Sequence, residues 1–149
     1  MKKILISFLL IFSTTLNHAE KWTNGFSHGS EEYNLKNKAN QTITYSCNEA
    51  MSENTENGFW LKNENEIING EDGLAVMTDS LYFTPFPKET QSVDGSLQGL
   101  LFTAQLATAK TIDVFMQVKQ SSWVKIASFK SDQEASFKKC PSVYIKNIM

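Results

Sequence analysis

Four carboxylates crowd one short stretch of this chain: Glu64, Glu66, Glu71 and Asp72. Paired carboxylates can perform acid–base work on a glycosidic bond when two of them meet about 5–9 Å apart in a cleft. They can also hold Ca²⁺, but their spacing here does not match an EF-hand loop. Asn69-Gly70 and Asp72-Gly73 punctuate the same stretch, and such pairs mark turns. Carboxylates on turns are solvated, which favours charge attraction over catalysis. Nucleophilic catalysis needs a Ser or Cys beside a base that a third group orients. The base on offer is His28, in Ser27-His28-Gly29-Ser30, with Glu31 or Glu32 as its partner. That segment is polar, bears glycine and has no helical period, so it reads as an exposed histidine on an arm. No glycine-rich phosphate cradle occurs. The sequence therefore predicts no catalytic residue, no metal and no cofactor.

Aromatic residues are the other candidates. Phe59 and Trp60 are adjacent, so on a strand they point to opposite faces and one lies outward. Pro85-Phe86-Pro87 would present Phe86 on a rigid loop. Aromatic side chains on rigid backbone are what binding patches use. The predicted partner-binding set is Glu64, Glu66, Glu71, Asp72, Phe86 and Trp60. Trp22, Trp123 and Phe129 are expected mainly in the core.

The chain's start places these groups in a compartment. Met1-Lys2-Lys3, an apolar run over 4–16 and a small residue at Ala19 follow the order of a secretory signal peptide, with cleavage expected near Ala19-Glu20. The apolar run falls short of the ~20 residues of a membrane span. No second such run follows, so the mature chain, 20–149, is expected to form a single globular domain without a membrane span, periplasmic or secreted. Two cysteines, Cys47 and Cys140, are an even count in an exported chain and suggest a disulfide. Free thiols and a two-cysteine metal site are the rival readings, although metal would require further ligands.

All 14 basic residues are Lys. Without guanidinium there is no bidentate phosphate clamp, which argues against nucleic acid. Charge is lopsided: 20–100 carries 5 Lys and 13 acids, a net −8, whereas 101–149 carries 7 Lys and 3 acids, a net +4. A cationic partner steered by this field would meet the acidic half, 48–94, and not the Lys-bearing C-terminal hairpin.

The elements that must position these residues read as follows. Thr42–Cys47 alternates strictly, with Ile43, Tyr45 and Cys47 on one face. Gly58–Lys62, 74–77 and 81–84 read as strands, a short strand sits around Glu32–Leu35, and Pro85 ends the series because it donates to no ladder. Leu97, Leu100, Leu101, Ala104 and Ala107 have helical spacing after a candidate N-cap at Ser96. Strands over 111–118 and 123–129 form a hairpin. Ser131-Asp132-Gln133-Glu134 reads as a capping box. The expected architecture is α+β or mainly β. It has an antiparallel sheet of about 5–7 short strands, a medium helix over about 96–109 and a short C-terminal helix over about 131–139, and one disulfide closes it.

Several motifs together resemble small exported bacterial proteins of the invasion-associated locus B type. They are Trp22 with Gly25, the strand ending in Cys47, Val93-Asp94-Gly95 before a helix ending in Phe102, Leu106, Ala107 and Ala109, and a hairpin followed by Cys140. The resemblance implies no catalytic residues. It implies a virulence association. The lack of a catalytic constellation, the small disulfide-closed domain and the acidic half give the expected function: a non-enzymatic protein-binding module such as an inhibitor, immunity or secretion accessory protein, its partner another envelope or secreted protein. The alternatives are a structural or small-ligand-binding envelope protein, or a carboxylate-based glycan hydrolase.

Overall fold

The computed structural model describes residues 20–27, 30–47, 57–79, 83–86, 93–131 and 140. Within them, two antiparallel sheets and one helix share a hydrophobic core. The first sheet is a meander: β1 (Trp22–Ser27), β2 (Ser30–Lys36), β3 (Thr42–Cys47), β4 (Gly58–Lys62) and β5 (Ile67–Asn69), in that spatial order. The second has the order β7-β6-β8-β9, with β6 at Leu74–Thr78, β7 at Phe83–Pro85, β8 at Thr111–Lys119 and β9 at Ser122–Lys130. The helix α1 (Val93–Thr108) joins β7 to β8.

Alternation fixes which side chains meet. Leu35, Ile43 and Leu61 form one cross-strand row, and Tyr33, Tyr45 and Phe59 form the next; all six are buried. On the second sheet the matching rows are Val76–Val114–Ala127 and Thr78–Ile112–Phe129. Each fully buried Leu, Ile or Phe contributes about 1.5–3 kcal/mol by leaving water. The helix lays Phe102, Leu106 and Ala107 on this core. Tyr45 Oη lies 2.5 Å from Thr103 Oγ1. Thr103 donates its own proton to the Gly99 carbonyl at 2.7 Å, so the phenol is the donor in the first bond.

One corner joins the sheets through two side chains and one backbone bond. A β-bulge shifts the β8–β9 register between Val114 and Phe115. Gln41 Nε2 donates to the Ile126 carbonyl at 3.1 Å, Asn37 Nδ2 to the Ser128 carbonyl at 3.0 Å, and the Glu20 amide to the Lys130 carbonyl at 2.7 Å. The β2–β3 connection thus covers part of β9's edge, which blunts its capacity to pair with a foreign strand.

The expected single sheet of 5–7 strands is corrected to nine strands in two sheets among the described residues. The arm before Tyr33 hides β1 because that strand sits at an edge with four of its six residues exposed, so no alternation shows. β5 is only three residues long. The helix starts at Val93, which puts Ser96 inside it. Its buried stripe runs through Gly99, Phe102, Thr103, Leu106 and Ala107, whereas Leu97 and Leu101 are exposed and Ala104 faces outward. Its apolar residues nearly encircle the helix, and the large Phe102 sets the phase. Pro85 is the last residue of β7 and still pairs with Ala75, which an edge strand that needs no second ladder allows. The predicted helix over 131–139 lies outside the described residues beyond Ser131, which forms a bridge with Glu20. His28 and residues 81–82 lie outside them too.

Candidate functional site

Parity on β4 builds the site. Phe59 turns inward and is buried, while Trp60 turns outward and is half-buried. Its indole lies along the sheet because residue 58 has no side chain: a Cβ on Gly58 would come within 2.8 Å of Trp60 Cζ3. β5 then delivers Asn69, and a 3-10 turn over Gly70–Asp72 turns the chain toward β6. Gly73, with φ 97°, closes that turn in the left-handed region where glycine is favoured. Gly70 is pressed against the Phe86 ring and the Phe59 carbonyl, where a Cβ would lie 2.7 Å and 2.9 Å away.

These pieces enclose a concavity of ≈ 290 Å³ lined by Gly58, Phe59, Trp60, Asn69, Gly70, Glu71, Asp72 and Phe86. Phe59 and Phe86 stack beneath it, centroids 6.1 Å apart and planes at 23°. Phe102 meets both rings edge-on at 5.3 and 5.4 Å. Glu71 and Asp72 stand exposed at the rim, and Asn69 Nδ2 donates to Asp72 Oδ2 at 3.3 Å. The ionisable residues of the lining are both acidic. Rings below and carboxylates above suit a cationic or polar group seated against aromatic surface.

The structure brings together four of the six predicted partner-binding residues: Trp60, Glu71, Asp72 and Phe86. Glu64 and Glu66 are exposed at the other end of the β4–β5 hairpin, where the Asn63 amide donates to the Glu66 carbonyl at 2.8 Å. Phe86 requires correction. It is buried, not presented on a loop; the Phe86 amide donates to the Leu74 carbonyl at 3.0 Å, and this turns its ring into the core. Cys47 and Cys140 are bonded, with Cα atoms 5.5 Å apart and both residues buried. The glycines were the part sequence reasoning missed. Asn69-Gly70 signals a turn, but nothing local says that an aromatic ring packs against it.

A second cluster lies on the outer face of the other sheet. Phe83 meets Phe115 and Trp123 edge-on, with centroids 5.4 and 5.0 Å apart. Ala75 pairs with Phe115 on this face and is fully buried. Trp123 therefore belongs to an outer cluster, not to the core where it was expected. Among the described residues no group of three or more His, Cys, Asp or Glu could hold a metal ion, and no helix is long and apolar enough to cross a membrane.

A family model, YfjT, matches residues 20–135, most of the chain. The chain belongs to the YfjT family. This bacterial family's match spans β1 to β9 and so includes the concavity, the glycines beneath it and the outer aromatic cluster; Cys140 falls beyond it. No curated protein and no solved structure matches the chain. Nothing in these comparisons supports the resemblance to the invasion-associated locus B type.

Proposed function

We propose that this YfjT-family chain is an exported, non-enzymatic protein-binding module, periplasmic or secreted, that takes a cationic feature of another envelope or secreted protein at the Trp60 concavity. The observation that carries this reading is the concavity itself, with its stacked aromatic floor and a rim whose charge comes from Glu71 and Asp72. The signal-like leader and the Cys47–Cys140 bond support export. The concavity's size, at the lower end of small-ligand sites, suits one protruding side chain better than a whole cofactor. The net −8 of residues 20–100 would steer such a partner from a distance.

The test is in-cell crosslinking from Trp60 and Asn69 positions bearing a photoreactive side chain, followed by recapture of the identified partner by wild type and by Trp60→Ser/Glu71→Gln/Asp72→Asn. The triple variant should fold and lose the partner, and added salt should slow wild-type association. Equal capture by the variant would defeat the proposal. N-terminal sequencing of the exported protein should begin at Glu20.

A further inference from the structure

We propose that the chain forms a two-fold dimer in which β1 pairs antiparallel with β1 of a second copy, so that two five-stranded sheets become one. Among the described residues four strands lie at sheet edges, and three of them are guarded. β9 is partly covered by the β2–β3 connection. β7 is three residues long and ends in Pro85. β5 is equally short and is flanked by Glu66 and, past Gly70, Glu71. β1 has six residues, Trp22–Ser27, with no charge, no proline and no register shift against β2. Such an edge is a template for another strand.

The parity of the ladder says what this edge offers. The Asn37 amide donates to the Gln41 carbonyl at 2.9 Å, continuing the register in which Lys36 faces Thr42. Bonded and non-bonded pairs alternate along an antiparallel ladder. The odd residues of β2 therefore bond to β3, and its even residues Glu32 and Asn34 bond to Gly25 and Thr23 of β1. The amide and carbonyl groups of Asn24 and Phe26 then point away from β2. Their side chains share the core-side face of the sheet with Trp22, yet Asn24 is exposed and Phe26 is 74% exposed. A two-fold axis at Asn24 sets that residue opposite its own copy and Phe26 opposite the second copy's Trp22, twice over. The rings meet as cross-strand aromatic pairs, and the two Asn24 amides can exchange hydrogen bonds. On the outer face, Lys21 falls diagonal to the second copy's Glu32, across Gly25, where a Cβ would meet nothing within 4 Å. Two strand spacings and two residue rises put those Cα atoms about 12 Å apart, which a Lys and a Glu side chain span together. A foreign strand need not match all three positions; a second copy does. One strand pair buries less than the ~1,000 Å² of a lasting complex, so the dimer is weak and concentration-dependent. The concavity lies at the β4–β5 end of the sheet, so this inference stands or falls separately from the proposed partner site.

The experiment is sedimentation equilibrium of the mature, oxidised chain over a concentration series, with hydrogen exchange at its two ends. Dimer should form by about 1 mM chain, and protection should rise at the Asn24 and Phe26 amides but not along β5. Asn24→Pro removes an amide that takes no part in the β1–β2 ladder, and edge strands accept proline, so circular dichroism should persist while association falls about tenfold. Phe26→Lys should weaken it to a similar extent. Lys21→Glu should also weaken the dimer, and Lys21→Glu/Glu32→Lys should restore it. A chain that stays monomeric throughout the series, a dimer indifferent to Asn24→Pro and Phe26→Lys, or a charge swap without rescue would each overturn the inference.

Discussion

The Trp60 concavity and the β8–β9 hairpin end use the same residue types in opposite ways. At the concavity, aromatic rings form a buried floor, glycines give access to it, and the rim is acidic. At the hairpin, aromatic rings stand on the outer face, valines occupy the reverse side, and the charged side chains of the two strands include the ion-paired Lys125 and Asp113 and the exposed Lys119. The difference comes from parity and from the neighbouring backbone. Phe59 and Trp60 differ by one position on one strand, and that step separates core from surface. Phe86, predicted outward, is turned inward by one backbone hydrogen bond to Leu74. An aromatic residue's role is thus set by its strand register and by whether glycine leaves room beside it.

Loss of the disulfide should produce the largest effect and should act unequally on the two regions. The bond closes a loop with a sequence separation of 93, for which the chain-entropy estimate is about 4–5 kcal/mol of stability, an upper figure since measured values often fall short. Cys47 directly follows Ser46, the cross-strand partner of Gly58, so the tether lies at the concavity end of β3. Urea unfolding with and without reductant should show the loss. Hydrogen exchange should rise first at 58–60 and 69–72, and later at 111–130. Equal loosening of both regions would break the contrast.

The next effect in size separates the two regions by packing. Gly70→Ala places a methyl 2.7 Å from the Phe86 ring and 2.9 Å from the Phe59 carbonyl, and backbone cannot yield as a flexible side chain can. Overpacking of this kind costs about 1–3 kcal/mol. Gly25→Ala is the control: nothing lies within 4 Å of that Cβ, and replacing glycine within a strand should be neutral or stabilise by up to ~1 kcal/mol. Chemical shifts in Gly70→Ala should move around the concavity and leave Phe115 and Trp123 in place.

Tyr45→Phe probes the helix that supports the concavity's floor from below. It removes the buried bond to Thr103, while Thr103 keeps its bond to Gly99; a loss of about 1 kcal/mol is expected. Burial raises the Tyr45 phenol above its ordinary 10.0. The folded state therefore holds this proton more tightly than the unfolded chain does. The resulting stability is full below pH 10 and is lost as pH rises through the folded value. Wild type should weaken above pH 10, and Tyr45→Phe should lack that part of the slope in alkaline denaturation.

The legible parts of the fold were those with strong local signals. Thr42–Cys47 and Gly58–Lys62 match their predicted bounds because alternation and turn residues agree there. β1 was illegible because an exposed edge strand needs no apolar period, and the helix phase was obscured because Leu97 and Leu101 mimic a buried stripe while facing water. At the site, Trp60, Glu71 and Asp72 could be chosen from residue type, but Glu64 and Glu66 could not be separated from them. That separation depends on a three-residue strand, which sends two carboxylates to the hairpin's tip and two to its base.

The smallest expected effect on stability uses that separation to test the comparison. Glu71→Gln/Asp72→Asn and Glu64→Gln/Glu66→Gln each remove two exposed charges from the same acidic half, and each pair should change stability by no more than about 0.5 kcal/mol. Long-range steering depends on net charge, so both pairs should slow association with a cationic partner, and salt should erase much of the difference because screening acts beyond about 8 Å. Dissociation depends on contact. It should accelerate only in Glu71→Gln/Asp72→Asn, whose groups line the concavity. If the two pairs accelerate dissociation equally, the acidic half acts as a diffuse field and the concavity has no privileged role.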